Sequence, residues 1–233
     1  MKRYLSFFFL LFALALVSGC AAFTPKKPLE YRAGAQVDSL SAAVSLSIKR
    51  GKQGMGANGF LLYRRPDRMR VVILSPFGTT MMETIVAGEQ VTIVESSKGV
   101  AFSGLLAELP EQGNGDTVRQ ARWVMDVPIP GSSLRNGSVE RTNNLGLKER
   151  VTFENGLVVA KSLPNGDEAH YNDYVVVNGV PLATEIIISS HNGDRFRISI
   201  SEPEVNTDLS PDAFTPRLDS MTIYPLSALK GPQ

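Results

Sequence analysis

Three Asn-Gly dipeptides, Asn155-Gly156, Asn178-Gly179 and Asn192-Gly193, each lie between runs of alternating apolar and polar residues. A tight hairpin loop needs positive φ at its central positions, which Asn and Gly adopt at least cost. The second half of the chain is thereby committed to antiparallel hairpins, with strands expected over 148–153, 157–163, 168–177, 182–190 and 195–201. The first half shows the same period of two. Val44, Leu46 and Ile48 fall on one face, and Ser45, Ser47 and Lys49 on the other, the mark of a strand with one dry and one wet side.

Further strands follow at 60–63, 69–74, 80–87, 91–94 and 100–102, with Gly88-Glu89 and Ser97-Lys98-Gly99 as turns. Gly51, Gly54, Gly56 and Gly59 interrupt the pattern. Their spacing is not that of a phosphate-binding loop, so they read as a flexible or bulged hairpin connection. Residues 29–40 are a candidate short helix, and 223–226 reads as a loop in the tail. The meander is broken once, where Val118, Ala121, Val124 and Met125 recur at helical spacing beside Trp123. Asp116 is placed to cap that helix, and Pro128-Ile129-Pro130 ends it.

The fold expected is mainly β: a curled antiparallel sheet of about 11 strands forming an incomplete, half-open barrel with a helical lid. Val118, Trp123, Val124, Met125, Ile129 and Leu134 are the expected lid residues. Val44, Leu46, Ile48, Val71, Ile73 and Met82 are the expected lining of an apolar cavity, although a register slip of one residue would turn them outward. One loop stands apart. Ser75-Pro76-Phe77-Gly78 joins two strands, and it presents an aromatic ring where a short polar turn is the rule.

The chain opens with Lys2 and Arg3, an apolar run from Leu5 to Val17, and small residues before Cys20. That is the arrangement of a secretory signal, too short to span a bilayer as a helix. The expected organisation is a signal over 1–19, a lipidated tether over 20–33 and one domain over 34–233. Without Lys2 and Arg3 the 24 basic residues become 22 against 23 acidic ones, so the mature chain carries about −1 and has no nucleic-acid footprint. Cys20 is the sole cysteine, which excludes an intrachain disulfide. His170 and His191, the two histidines, stand in neither a metal-ligand spacing nor a serine elbow, so no enzyme, no metal and no cofactor is expected.

Leu16-Val17-Ser18-Gly19-Cys20 resembles the bacterial lipobox. The resemblance implies diacylglycerol on the Cys20 sulfur, cleavage before Cys20 and a further acyl chain on the new amine. An ordinary free or buried cysteine is the alternative. Ala21 and Ala22, with no aspartate after the cysteine, favour the outer membrane by the same resemblance. Arg65-Pro66-Asp67-Arg68, Ser75-Pro76-Phe77-Gly78 and the segment from Pro128 to Arg135, in that order after the lipobox, resemble the LolB family. Those outer-membrane lipoproteins receive other lipoproteins from the soluble carrier LolA. The resemblance implies a half-barrel with a helical lid over an apolar cavity, lipoprotein acyl chains as ligand, a LolA-like periplasmic carrier as partner, contact with the membrane surface and a monomeric state. Pro76, Phe77 and Gly78 take the place of the family's membrane-insertion loop, with Phe77 standing where the family has leucine. A second reading on the same scaffold is a lipid-sensing lipoprotein that regulates or recruits a protein partner. A third is a structural lipoprotein with a filled barrel.

Overall fold

The computed structural model describes residues 29–110, 114–128 and 135–229. Cys20, Ile129 and Leu134, together with the signal segment and the start of the tether, lie outside the described residues. A first meander comprises β1 (Ser39–Arg50), β2 (Gln53–Arg64), β3 (Arg68–Leu74), β4 (Thr80–Ala87), β5 (Gln90–Glu95) and β6 (Val100–Leu105). Helix α1 (Asn114–Met125) follows. The second meander comprises β7 (Gly137–Thr142), β8 (Lys148–Glu154), β9 (Leu157–Ser162), β10 (Glu168–Val177), β11 (Val180–Ser189) and β12 (Arg195–Val205). A last short strand, β13 (Thr222–Pro225), comes near the end of the chain.

All thirteen strands form one sheet in the order β13-β6-β5-β4-β3-β2-β1-β12-β11-β10-β9-β8-β7. The first and last strands of this order are edges, so the sheet curls without closing. The two meanders meet at the antiparallel β1–β12 ladder, in which Leu40 pairs with Val205 and Ile48 with Phe196. Leu40, Ala42 and Val44 are buried, whereas Ser45, Ser47 and Lys49 are exposed, so the even-numbered residues of β1 point into the concave side. Helix α1 lies in that concavity, with Val118, Trp123, Val124 and Met125 buried in one apolar core with the inward residues of both meanders.

Four of the expectations above are corrected. Residues 29–40 do not form a helix: Gly34 sits at φ +73°, the Arg32 amide donates to the Gly179 carbonyl, and β1 has begun by Ser39. Tertiary pairing there overrides local preference. Of the glycine-rich stretch Gly51 lies in the hairpin turn, at φ +56°, but Gly54, Gly56 and Gly59 are not in a loop, because β2 runs unbroken from Gln53 and pairs with β1 along its whole length. Asp116 lies inside the first turn of α1, which starts at Asn114, and accepts a hydrogen bond from Gln120 Nε2 at 3.2 Å. Finally, β7 and β13 add to the eleven strands expected. β7 is almost wholly exposed and has no dry face to betray it, and β13 is four residues long, ends in proline and pairs in parallel with the distant β6.

Four hairpins, Ser75–Thr79, Asn143–Leu147, Leu163–Asp167 and Ser190–Asp194, share one loop. In each the first amide donates to the last carbonyl and the glycine amide returns to the first carbonyl, all between 2.8 and 3.0 Å. The glycine has φ between +75° and +94°, the left-handed position of a type I turn with a bulge. This loop is made by backbone and glycine, so the residue before the glycine is free to vary: it is Phe77, Leu145, Asn165 and Asn192 in turn.

Gly59 is the last residue of β2 that pairs with β3, which ends at Leu74. The β2–β3 ladder runs only from Gly59 to Arg64, and a Cβ at Gly59 would fall on the Val72 carbonyl oxygen. At Gly54, by contrast, the nearest atom to a Cβ is 3.9 Å away. Gly59→Ala is therefore expected to cost about 1–3 kcal/mol of unfolding free energy in urea, while Gly54→Ala stays within about 0.5 kcal/mol of wild type.

Candidate functional site

Between α1 and the concave face lies an apolar cavity of about 160 Å³. Val44, Leu46, Ile48, Val71, Ile73 and Met82 all line it. Their shared face follows from register: Leu61 stands between Ala42 and Val71 across two ladders, and Ile73 opposite Met82. From α1 the cavity receives Val118 and Met125, together with Thr117, Gln120 and Ala121. Trp123 and Val124 are buried but do not line it. At the lower end Val44, Leu61, Met69 and Ile93 are buried, whereas Leu46, Ile48, Ile73 and Met82 are partly exposed. The cavity thus opens toward the end of the sheet that carries the β1–β2 and β3–β4 hairpin tips.

The β3–β4 tip is the Phe77 loop. Ser75 ties it together: its hydroxyl accepts from the Phe77 and Thr79 amides at 3.2 Å and lies 2.8 Å from the Thr79 hydroxyl. Phe77 is 93% exposed. A rigid, internally hydrogen-bonded loop holds a full aromatic ring in solvent beside an apolar cavity.

Helix α1 is held very differently at its two ends. The last carbonyls of a helix have no partners within it. Here the carbonyls of Trp123, Val124 and Met125 are each met. Lys161 Nζ donates to the Trp123 and Asp126 carbonyls at 2.8 and 3.0 Å, Tyr171 Oη to the Val124 carbonyl at 2.8 Å, and the Val127 amide to the Met125 carbonyl at 2.9 Å. Arg65 donates to the Val127 carbonyl. Glu149, fully buried, binds Lys161 at 3.0 Å, accepts from Trp123 Nε1 and Arg141 Nε at 2.7 Å each, and accepts from Asn143 at 3.2 Å. Arg141 also reaches Asp126 Oδ2 at 3.2 Å. Three cations at a helix C-terminus also oppose its dipole favourably. Nearer its start, Arg119 ties α1 to the Leu109 and Pro110 carbonyls, the second of them at 2.8 Å.

The histidines take no part in the cavity. His191 Nδ1 lies 2.8 Å from Asp167, whose hydrogen bond holds the imidazole above its ordinary value. His170 is exposed and lies 3.8 Å from Glu168. Among the described residues no group of three or more His, Cys, Asp or Glu side chains could hold a metal ion, and no described helix is long and apolar enough to cross a membrane.

The family model of the outer membrane lipoprotein LolB matches residues 38–202, from the start of β1 into β12. The chain belongs to the LolB family. A search of curated proteins finds no match. Among solved structures, the chain is similar in fold to a LolA superfamily protein from Nitrosomonas europaea, with 18% identity, a TM-score of 0.55, and 77% of this chain and 90% of that one covered. It is also similar to a putative outer membrane lipoprotein-sorting protein domain from Vibrio parahaemolyticus, with 9% identity, a TM-score of 0.56, and coverage of 76% and 89%. A DUF1329 family protein from Desulfovibrio piger matches at 10% identity and a TM-score of 0.55, with 77% and 90% covered. At these identities the likeness is one of fold: the open curled sheet with its single described helix is a LolA- and LolB-like architecture.

The clamp on α1 is what sequence reasoning missed in this LolB-family chain. A signal for it existed. Glu149 shares its face of β8 with Val151 and Phe153, and Lys161 pairs directly with Val151, so two charges sit at inward positions of otherwise ordinary strands. Burial pushes the Lys161 ammonium down to about 8, against the upward pull of Glu149. Unfolded lysine titrates at roughly 10.4, so between these values the unfolded chain holds more protons and this group makes stability rise with pH. Lys161→Met leaves Glu149 buried with Arg141 as its one remaining cation, and is expected to lose about 3 kcal/mol in urea denaturation at pH 7. The variant should also lack the wild type's gain in stability between pH 8 and 10.

Proposed function

We propose that this protein accepts lipoproteins from a LolA-like periplasmic carrier, takes their acyl chains into the cavity beneath α1, and delivers them to the outer membrane. In this reading Cys20 carries the lipid that anchors the chain there. The observation that supports the proposal most is the pairing of an apolar cavity opening toward one end of the sheet with Phe77 held in solvent at that same end.

Magnitudes divide the work between the two. Three chains of about 16 carbons expose on the order of 35 kcal/mol of apolar surface to water, at about 0.8 kcal/mol per CH₂. Phe77 contributes at most about 1.5–3 kcal/mol on burial. Holding cargo therefore falls to the cavity, and Phe77 serves at the moment of release by entering the bilayer or touching the incoming lipid. The cavity of about 160 Å³ is smaller than the roughly 300 Å³ at which ligand pockets usually begin. Acyl chains enter only if α1 moves. The clamp on its C-terminal carbonyls makes that end the pivot of such a movement.

The loop's geometry does not use the Phe77 side chain, so Phe77→Glu should fold like wild type, with an unchanged urea midpoint. In transfer from a carrier–lipoprotein complex to phospholipid vesicles it should lose most delivery while Phe77→Leu keeps it. Delivery at the wild-type rate by Phe77→Glu overturns the role assigned to the loop.

A further inference from the structure

β2 is paired on both sides for only half its length. From Gly59 to Arg64 it lies between β1 and β3, but from Gln53 to Asn58 the described residues pair it with β1 alone. The cause is length: β3 ends at Leu74, one residue past Ile73, its last residue paired with β2, and turns into the Phe77 loop, so the β1–β2 hairpin overhangs its neighbour by six residues. One row of backbone donors and acceptors, six residues or about 20 Å long, lies along that overhang.

Strand edges are usually blunted by charge, proline or a bulge, because they attract other strands. This one reads Gln53-Gly54-Met55-Gly56-Ala57-Asn58, with no charged residue and no proline, and all but Ala57 are exposed. β13, an outer edge of the sheet, ends in Pro225, and β7, the other, carries Glu140 and Arg141. The place of the open edge is also specific. Met55 pairs with Ile48 and Ala57 with Leu46, two cavity-lining residues, so both side chains stand on the concave face at the cavity's open end.

A lipoprotein whose acyl chains fill the cavity has its lipidated cysteine at that opening, and the polypeptide after the cysteine must leave past the rim. We propose that the open edge of β2, Gln53–Asn58, receives this extended segment as an added strand. Backbone pairing reads no side-chain sequence, which suits a receptor that takes many cargoes. It also gives the glycines of this stretch a function: with no side chains at 54 and 56, the edge is left accessible. The inference rests on the acceptor reading above.

Photo-crosslinking residues placed at Met55, on the concave face, and Asn58, on the outer face, of the full-length protein in its own cells test it, with Met82 as the probe inside the cavity and Phe60, on the outer face where β3 covers the strand, as the control. Expected are adducts from Met55 and Asn58 to the first six or so residues after the lipidated cysteine of other lipoproteins, and none from Phe60. A cargo with two prolines in that segment should lose the edge adducts at least fivefold while keeping the Met82 adduct, a difference that mere proximity would not produce. Three results overturn the inference while leaving the acceptor reading intact: Met82 adducts without edge adducts, edge adducts indifferent to the prolines, or edge adducts to a second copy of this chain. Absence of lipoprotein adducts at Met82 as well overturns both.

Discussion

The Glu149–Lys161 pair and the carbonyls it gathers fix where α1 sits, and the cavity exists because α1 sits there. Burying an ion pair is costly unless every remaining donor and acceptor is met. Here the ammonium has a carboxylate and two carbonyls, and the carboxylate has an ammonium, a guanidinium, an indole and an amide. The Lys161 ammonium also lies 5.1 Å from the centre of the Trp123 ring. A purely apolar helix could slide along the concave face at little cost. A helix whose end is pinned by directional bonds has one position, and the space beside it has a defined shape.

The pin also makes α1 unequal along its length. Its last turn is joined to β8, β9, β10 and the β2–β3 turn by directional bonds, whereas Val118 and Ala121 meet the cavity through apolar contact alone. Apolar contact is non-directional and is readily exchanged for contact with an acyl chain. Charge-assisted hydrogen bonds are not. In the proposed function, the directional bonds and the apolar contacts of this twelve-residue helix would thus serve different ends, stability and ligand exchange.

What was legible in the chain follows from the same physics. Strict alternation declares a strand with one dry face, so β1, β3, β4 and β8 to β12 are readable, and with them the face on which Val44, Val71 and Met82 lie. The helix is readable because its apolar spacing changes from two to about four. β7 was not legible because it has no dry face, nor β13 because a parallel pairing across some 120 residues leaves no local trace. The glycine-rich half of β2 was misread for a related reason: its strand character comes from β1, not from its own side chains. The exposure of Phe77 depends on which way the loop leans, which composition does not carry. The clamp could be suspected only by asking why charges occupy inward positions.

The ladder between β1 and β12 joins residues as distant in sequence as Leu40 and Val205. Each meander can assemble locally as it emerges, but the concave face is shared between them and comes into being only when this late, long-range seam forms. Closing so large a loop is slow relative to hairpin formation. Until then the inward rows of both halves are open apolar surfaces. A newly made copy is for that interval itself a chain with exposed apolar surface, with the same need for shelter as the lipidated chains it is proposed to carry.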